Sequence, residues 1–150
     1  MRVVIQRVSQ ASVTIEGTKK SEIEAGFLIL LGITHEDTEE DIDWLTGKIM
    51  GLRIFSDQDG AMNKSITDVD GEILVVSQFT LFANTKKGNR PSFINAARPD
   101  KAVPLYELFI STLSRKQKRE VKTGTFGADM KVALINDGPV TITIDSQKKE

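Results

Sequence analysis

The sequence predicts an α+β fold in which a rolled antiparallel β-sheet or barrel is flanked by two α-helices. Short runs of alternating apolar and polar residues recur along the chain, only two stretches have helical periodicity, and turn residues separate the runs. With 150 residues, no internal repeat and no linker, the chain fits one domain spanning residues 1–150. We expect about eight strands.

The N-terminal third is rich in β-patterned sequence. Alternation predicts strands over residues 2–8 and 12–16, a turn over 17–20 and a fully apolar strand over 27–33. A first helix is then expected to begin at Thr38 and to run to about residue 50. Asp41, three residues after Thr38, suits the capping position that anchors such a helix.

The middle of the chain alternates strands with turns before a second helix. Residues 52–55 read as a strand, residues 57–60 as a loop, and residues 72–82 as one long strand that begins after an Asp-Gly turn. A helix follows over about residues 100–115, with Pro104 near its first turn. Two strands are expected to complete the chain.

Composition excludes several classes of function. The chain carries 20 Lys and Arg against 21 Asp and Glu, so a globally basic nucleic-acid binder is disfavoured, whereas a local basic patch is allowed. The absence of cysteine removes thiolate nucleophiles, disulfides and cysteine-based zinc sites, and it fits a reducing compartment. The longest apolar run, residues 27–33, is too short to span a bilayer. We expect a soluble, cytoplasmic protein with no membrane partner.

The predicted strand over residues 72–82 is interrupted by Ser77, Gln78 and Thr80, with Phe79 between them. Strict alternation puts Ser77 and Phe79 on one face and Gln78 and Thr80 on the other, unless a bulge re-aims one of them. Hydroxyls, a carboxamide and strand-end amides suit the binding of a carbonyl oxygen that becomes an oxyanion, so hydrolysis is the functional interpretation. A strand that merely turns toward solvent is the alternative.

A catalytic base or metal is not evident. The only histidine, His35, lies in a polar stretch typical of a surface loop, so we do not expect it to act as general base. One histidine, no cysteine and scattered carboxylates offer no recognisable ligand spacing. We therefore expect neither a metal nor another cofactor.

Two basic clusters are present. Lys86, Lys87 and Arg90 precede Phe93, a combination that suits a phosphate backbone or a stacked base. A second cluster over residues 115–119 ends the second helix, where positive charge also complements the helix dipole, and that simpler interpretation is preferred.

The segment 136–141 admits two interpretations. An Asp-Gly pair between the alternating runs 132–135 and 140–144 is typical of a hairpin turn. Pro139, however, lies where the returning strand would begin to donate amide hydrogens, and proline cannot donate them. A fixed backbone wedge at Gly138 and Pro139 is the alternative.

The chain resembles the D-aminoacyl-tRNA deacylase family over nearly its whole length. The resemblance is carried by two signature motifs, Ser77-Gln78-Phe79-Thr80-Leu81 and Asn136-Asp137-Gly138-Pro139-Val140-Thr141. Three further segments support it: Gln6-Arg7-Val8, Gly88-Asn89-Arg90-Pro91-Ser92-Phe93 and Phe126-Gly127-Ala128-Asp129-Met130.

This resemblance implies an enzyme that removes D-amino acids from mischarged tRNA. It implies a homodimer in which a cis Gly138-Pro139 step, near Asn136, enters the partner's active site and rejects L substrates. It also implies that residues 77–80 line the aminoacyl ester, with Thr80 as a nucleophile or with backbone amides and the RNA 2′-hydroxyl promoting hydrolysis. Exclusion of a side chain predicts that glycyl-tRNA is cleaved too. Recognition of the tRNA is expected to involve the basic segment, Lys86, Lys87, Arg90 and Phe93.

Two other classes of function remain open at this point. In a non-catalytic RNA-binding barrel, Lys86, Lys87, Arg90 and Phe93 would hold a strand and both motifs would be structural. A serine or threonine esterase would instead use Ser77 or Thr80 as a covalent nucleophile. Neither alternative explains why the polar strand and the Gly-Pro step occur together.

Overall fold

The computed structural model describes residues 1–150 and contains eight β-strands, two α-helices and one short 3-10 helix. In chain order these elements are β1 (Arg2–Ile15), β2 (Thr18–Ile23), β3 (Gly26–Gly32), α1 (Glu39–Gly51), β4 (Phe55–Ser56), β5 (Met62–Lys64), β6 (Glu72–Ser77), the 3-10 helix (Phe79–Phe82), α2 (Pro99–Gln117), β7 (Lys122–Thr123) and β8 (Lys131–Asp145).

The long strand β1 organises the main sheet. Its first half pairs antiparallel with β3, its second half pairs with β2, and its other edge pairs with β8. The two strands predicted over 2–8 and 12–16 are thus one strand, because Gln10 continues the ladder opposite Ile135 across a register shift. The predicted turn over 17–20 is confined to Glu16 and Gly17, and β2 begins at Thr18.

The sheet curls into a nearly closed barrel, so the predicted α+β architecture is confirmed. Ser21 Oγ of β2 donates a hydrogen bond to the carbonyl oxygen of Thr123 in β7 at 2.7 Å, which links the two ends of the strand order. The sheet is mixed, since β6 pairs parallel with both β3 and β7. The reason is the long connection through α1, which returns the chain to the same end of the sheet before β6.

Both predicted helices are present. Helix α1 is capped as expected, with the Thr38 N–H donating to the Asp41 carboxylate at 2.9 Å. Helix α2 buries Tyr106, Phe109 and Leu113 in the same core as α1 and one face of the sheet. None of the helices combines the length and the apolarity that crossing a membrane would need.

The predicted strand over residues 52–55 is shorter and later than expected. Only Phe55 and Ser56 form β4, and they pair with β5, which the sequence did not predict. The predicted loop over 57–60 is confirmed, because the Asp57 carboxylate accepts backbone hydrogen bonds from Asp59 at 2.8 Å and Ala61 at 3.0 Å.

Strand β6 ends at Ser77, so the prediction of one long strand to residue 82 is wrong. The Gln78 N–H donates to the Leu31 carbonyl at 2.7 Å, after which the chain turns into the 3-10 helix. Gly32 allows this turn, because a Cβ there would lie 3.0 Å from the Leu81 Cβ and 3.1 Å from the Gln78 carbonyl oxygen. The expected alternation of faces across residues 77–80 is therefore replaced by a helical turn.

The hairpin interpretation of residues 136–141 is also wrong. Both flanking runs belong to β8, which follows β1 from Lys131 to Asp145. The ladder pairs Asn136 with Val8 and then Thr141 with Gln6, so residues 137–140 bulge out opposite a single residue of β1. A bulge tolerates Pro139, because no ladder hydrogen bond is required from its nitrogen.

Candidate active site

A cleft opens where β6 ends. This strand-end cleft has a volume of about 240 Å³ and is mostly apolar. Its lining includes Ser77, Gln78 and Phe79 on one wall, together with Leu31, Ile33, Val76, Ala97, Ala102, Phe126, Gly127, Ala128, Met130 and Val132. The structure thus brings three of the four predicted catalytic residues to one cavity. Thr80 lies beside it, exposed on the 3-10 helix.

No titratable side chain lines the strand-end cleft. The Gln78 carboxamide donates a short hydrogen bond to the Thr80 hydroxyl, so the hydroxyl is oriented by an amide rather than activated by a base. His35 is exposed, with Nε2 2.9 Å from the Ile94 carbonyl oxygen. Any hydrolysis at this cleft must therefore proceed without a histidine or carboxylate base from its lining.

Backbone donors are available at the same point. The first internal hydrogen bond of the 3-10 turn runs from the Leu81 N–H to the Gln78 carbonyl at 3.2 Å. The N–H groups of Phe79 and Thr80 precede it and have no partner within the helix. Two adjacent N–H groups at a strand end are suited to a carbonyl oxygen that gains negative charge.

The second motif forms the exposed bulge of β8. The peptide bond between Gly138 and Pro139 is cis, as the resemblance implies, and Gly138 has φ +138°. Asn136 braces this bulge from inside: its Oδ1 accepts from the Val140 N–H at 3.0 Å and its Nδ2 donates to the Thr141 hydroxyl at 3.0 Å. Asn136 therefore holds the two residues in place through its own hydrogen bonds.

Arg7 is the residue that sequence reasoning missed at this bulge. Its Nε donates to the Asp137 carbonyl at 2.9 Å, and its Nη1 donates to the Ile54 carbonyl at 2.6 Å. The side chain is only 11% exposed. The Gln6-Arg7-Val8 segment contributed to the family resemblance, but nothing local indicated that its guanidinium fixes β8 to the β4 region.

The bulge does not reach the strand-end cleft of its own chain. No residue between 136 and 141 lines that cleft. The bulge lies opposite Arg7 of β1. The residues aligned with Arg7 across the sheet include Ile73 of β6, and Ser77 is four residues further along that strand. Three strand spacings and four residues amount to about 14 Å across and about 13 Å along the sheet. Within one subunit, the two motifs are apart.

The predicted RNA-binding segment adjoins the cleft. Phe93 packs edge-to-face on Phe79, with ring centroids 5.1 Å apart. Lys86, Lys87 and Arg90 are exposed and form no ion pair with an acidic side chain. Their charge is thus available to a ligand that reaches this end of the molecule.

The second basic cluster is different. Lys116 pairs with Asp43 at 2.8 Å, and Arg119 pairs with Asp70 at 3.4 Å and Glu72 at 3.2 Å. Two of its four cations are thus neutralised within the chain.

The apolar walls of the cleft were not predicted as a set. Ile33 follows β3, Ala97 and Ala102 flank the start of α2, and Met130 and Val132 lie at the start of β8. Apolar residues at such positions look like ordinary core in the sequence. Only the Phe126-Gly127-Ala128 part of the opposite wall was marked, as a segment supporting the family resemblance.

The chain matches a known family over most of its length. Residues 4–145 match the family model described as D-Tyr-tRNA(Tyr) deacylase. The chain is 62% identical to the D-aminoacyl-tRNA deacylase of Flavobacterium johnsoniae and 65% identical to that of Bacteroides thetaiotaomicron, in each case over 150 residues covering all of both chains.

Solved structures resemble the fold closely. One, titled c-Myc DNA Unwinding Element Binding Protein, has a TM-score of 0.92 and 43% identity, covering 97% of this chain and 98% of that one. Another, titled as a probable eukaryotic D-amino acid tRNA deacylase, has a TM-score of 0.82 at 18% identity over 95% and 97% of the two chains, and it supports the fold alone. The match to the family model and the full-length identities show that this chain belongs to the D-Tyr-tRNA(Tyr) deacylase family.

Proposed function

We propose that this chain hydrolyses the ester that joins a D-amino acid to the 3′-terminal ribose of tRNA, and releases the free amino acid and tRNA. The observation that carries the proposal is the strand-end cleft of a family member, which combines Ser77, Gln78 and the N–H groups at the start of the 3-10 helix and has no titratable side chain in its lining. No metal or other cofactor takes part in the proposed reaction.

The substrate itself can compensate for the absence of a base from the cleft lining. An aminoacyl ester on the terminal ribose has a neighbouring 2′-hydroxyl, which can assist the attack of water on the ester carbonyl. The protein then positions the ester and stabilises the developing oxyanion through the N–H groups of Phe79 and Thr80. Gln78 lines the cleft beside these donors, and its carboxamide also donates to the Thr80 hydroxyl.

We assign the selection between D and L substrates to steric exclusion of the L side chain by the bulge of β8. The two substrates carry the same groups, and differences in apolar packing give only about 10- to 200-fold discrimination. A rigid backbone placed against the α-carbon rejects an L side chain more strongly, because the steric clash has no flexible group that can move. Gly138 and Pro139, held by Asn136 and Arg7, supply such a backbone.

The separation of the two motifs within one chain supports a homodimer in which each bulge completes the partner's cleft. Exposed apolar side chains available for such an interface include Phe79, Ile94 and Ile135, which are 56%, 76% and 51% exposed. Binding of the tRNA end is assigned to Phe93, which packs on Phe79 of the cleft, and to Lys86, Lys87 and Arg90 on the exposed loop that precedes it.

Complementation between subunits tests the shared site. Gln78→Ala damages the cleft and Gly138→Ala damages the bulge, so each homodimer is expected to be inactive. If each bulge serves the partner, half of the dimers in a random mixture are heterodimers with one intact site, which restores about a quarter of wild-type activity. A mixture as inactive as its components would contradict the shared site.

The terminal 2′-hydroxyl provides the test of the chemistry. We expect the metal-free protein to hydrolyse D-tyrosyl-tRNA that ends in ribose and to leave the 2′-deoxy analogue, esterified at the 3′-hydroxyl, near its spontaneous rate. A serine or threonine esterase would cleave both, hydrolyse simple aryl esters and form a covalent adduct at Ser77 or Thr80. An RNA-binding module would bind both and cleave neither.

A further inference from the structure

We propose that a second cavity, the outer cleft, binds the phosphodiester that joins the terminal adenosine of the tRNA to the preceding nucleotide. The inference rests on the proposed function and extends it from the ester to the RNA chain. The outer cleft has a volume of about 420 Å³ and is lined by Arg2, Phe82, Ala83, Asn84, Thr85, Lys86 and Asn95.

The outer cleft is the neighbour of the strand-end cleft along two shared segments. Phe79, at the start of the 3-10 helix, lines the strand-end cleft, and Phe82, at its end, lines the outer cleft. On the other segment, Ala97 lines the first cavity and Asn95 the second. A four-residue 3-10 helix spans about 8 Å, which is comparable with one nucleotide step in an extended strand.

The lining of the outer cleft is chemically suited to a phosphate. It contains two cations and no carboxylate. Asn84 Oδ1 accepts a hydrogen bond from the Lys86 N–H at 2.9 Å, which leaves the Asn84 amide nitrogen without a protein acceptor. The Asn95 side chain likewise has no hydrogen-bond partner in the protein. Only the backbone carbonyl of Asn95 is bonded, and it accepts from the Thr34 hydroxyl. Free amide and ammonium donors around one cavity favour an anionic oxygen ligand.

The two cations have different roles. The Arg2 side chain is held in place by three contacts. Its guanidinium lies 4.5 Å from the centre of the Phe82 ring and its Nη1 donates to the Leu81 carbonyl at 2.7 Å. Its Nη2 pairs with Asp145 at 2.9 Å. Lys86 has no acidic partner and supplies the free charge. One uncompensated positive charge matches the single negative charge of a phosphodiester.

The surroundings favour a nucleic-acid chain over an isolated anion. Lys87 and Arg90 continue from Lys86 on the same exposed loop, which is closed by two hydrogen bonds between Asn84 and Ser92 at 2.8 and 2.9 Å. Residues 84–101 contain five cations and only one acidic residue, Asp100, in a chain whose net charge is −1. Further cations without acidic partners, on the loop that borders the cleft, suit the phosphates of a nucleic-acid chain.

The test compares two substrates that share the ester but differ in the phosphodiester: D-tyrosyl-tRNA and D-tyrosyl-adenosine. Asn95→Asp keeps the side-chain shape and puts a negative charge into the outer cleft. It is expected to lower kcat/KM for D-tyrosyl-tRNA by at least about ten-fold, because a charged hydrogen bond is replaced by repulsion. Its kcat/KM for D-tyrosyl-adenosine stays within about two-fold of wild type, since that substrate has no phosphodiester.

Asn89→Asp is the matched control. It makes the same change on the basic loop that precedes Asn95, but Asn89 does not line the outer cleft. We expect its effect on D-tyrosyl-tRNA to be about two- to three-fold, from general electrostatics alone. Lys86→Met gives a second readout: the dependence of log KM for D-tyrosyl-tRNA on log salt concentration should become shallower by about 0.7, the value for one phosphate contact on a single strand.

Three results would overturn the assignment. Equal loss on both substrates in Asn95→Asp would mean that Asn95 acts on the reaction or the fold. Equal loss in Asn95→Asp and Asn89→Asp on tRNA would remove the site-specific effect. Inorganic phosphate that changes hydrolysis of D-tyrosyl-adenosine would indicate a free-anion effector instead. Wild-type hydrolysis of D-tyrosyl-tRNA separately tests the proposed function, and its failure would remove the basis for both proposals.

Discussion

Gly138→Ala tests whether the bulge of β8 is a rigid part of the site. A Cβ added at Gly138 would lie 2.8 Å from Val140 Cγ2, 3.0 Å from Arg7 Nη2 and 3.0 Å from the Val140 backbone nitrogen. The backbone there also has φ +138°, a region that costs a residue with a side chain about 1–3 kcal/mol. The added methyl group must therefore displace the bulge or the Arg7 guanidinium that holds it.

The variant is expected to stay folded while its activity falls. The whole domain has a free energy of unfolding of about 5–15 kcal/mol, so a loss of about 1–3 kcal/mol leaves it folded. A displacement of about 1 Å in a positioning group costs on the order of 100-fold in rate. We expect kcat/KM for D-tyrosyl-tRNA to fall about 100-fold, and the rejection of L-tyrosyl-tRNA to weaken, because the excluding surface has moved.

Gly60→Ala is the control for backbone cost. Gly60 also has positive φ, +81°, but its added Cβ would meet no heavy atom within 4 Å. Urea unfolding should show a loss of stability in both variants, larger in Gly138→Ala because of its added contacts, whereas deacylation should fall only in Gly138→Ala. Wild-type turnover of D-tyrosyl-tRNA and intact rejection of the L form in Gly138→Ala would refute the role of the bulge.

Three further predictions concern the site and its support. Thr80→Val removes the hydroxyl and keeps the shape, so kcat should fall less than about ten-fold if backbone donors hold the oxyanion; a covalent nucleophile would require a far larger loss. Asn136→Ala removes two hydrogen bonds of the bulge, which should lower the free energy of unfolding by about 1–3 kcal/mol in urea titrations and reduce D-tyrosyl-tRNA turnover. Burial opposes ionisation of Asp145, but hydrogen bonds from the Gln147 N–H and Arg2 outweigh it and hold the pKa of Asp145 below its usual range. The lowered pKa adds stability that is present above the unfolded pKa of about 3.9 and is lost as the pH falls through the folded pKa. Asp145→Asn should therefore have a smaller free energy of unfolding than wild type at pH 7. The difference between the two proteins should shrink below about pH 4.

Features set by local sequence were predicted well. The start of α1 follows from Thr38 and Asp41, because a capping box involves residues only three apart. The uniformly apolar run over residues 27–33 predicted a buried strand, because a strand covered on both faces needs no polar side. The observed strand β3 spans Gly26–Gly32. Ser77, Gln78 and Phe79 line one cavity, whereas alternation along a strand placed Gln78 on the opposite face.

Features set by contacts between distant parts of the chain were not predicted. The end of β6 depends on Gly32, a residue of β3, which makes room for the turn after Ser77. The bulge of β8 depends on its register with β1, and without that register an Asp-Gly-Pro sequence resembles a hairpin. Arg7 holds the bulge from 130 positions away in the sequence. Such pairings are created by the fold, so no local pattern reports them.

The deacylation rates of D-tyrosyl-tRNA, L-tyrosyl-tRNA and glycyl-tRNA with the purified, metal-free protein show whether the D ester is cleaved and the L ester is excluded. Exclusion of the L side chain predicts rapid loss of the D ester, loss of the glycyl ester at higher enzyme concentration, and an L ester that decays at its spontaneous rate. Resistance of glycyl-tRNA at high enzyme concentration would contradict selection by exclusion. A D ester that decays no faster than without enzyme would contradict the deacylase function itself.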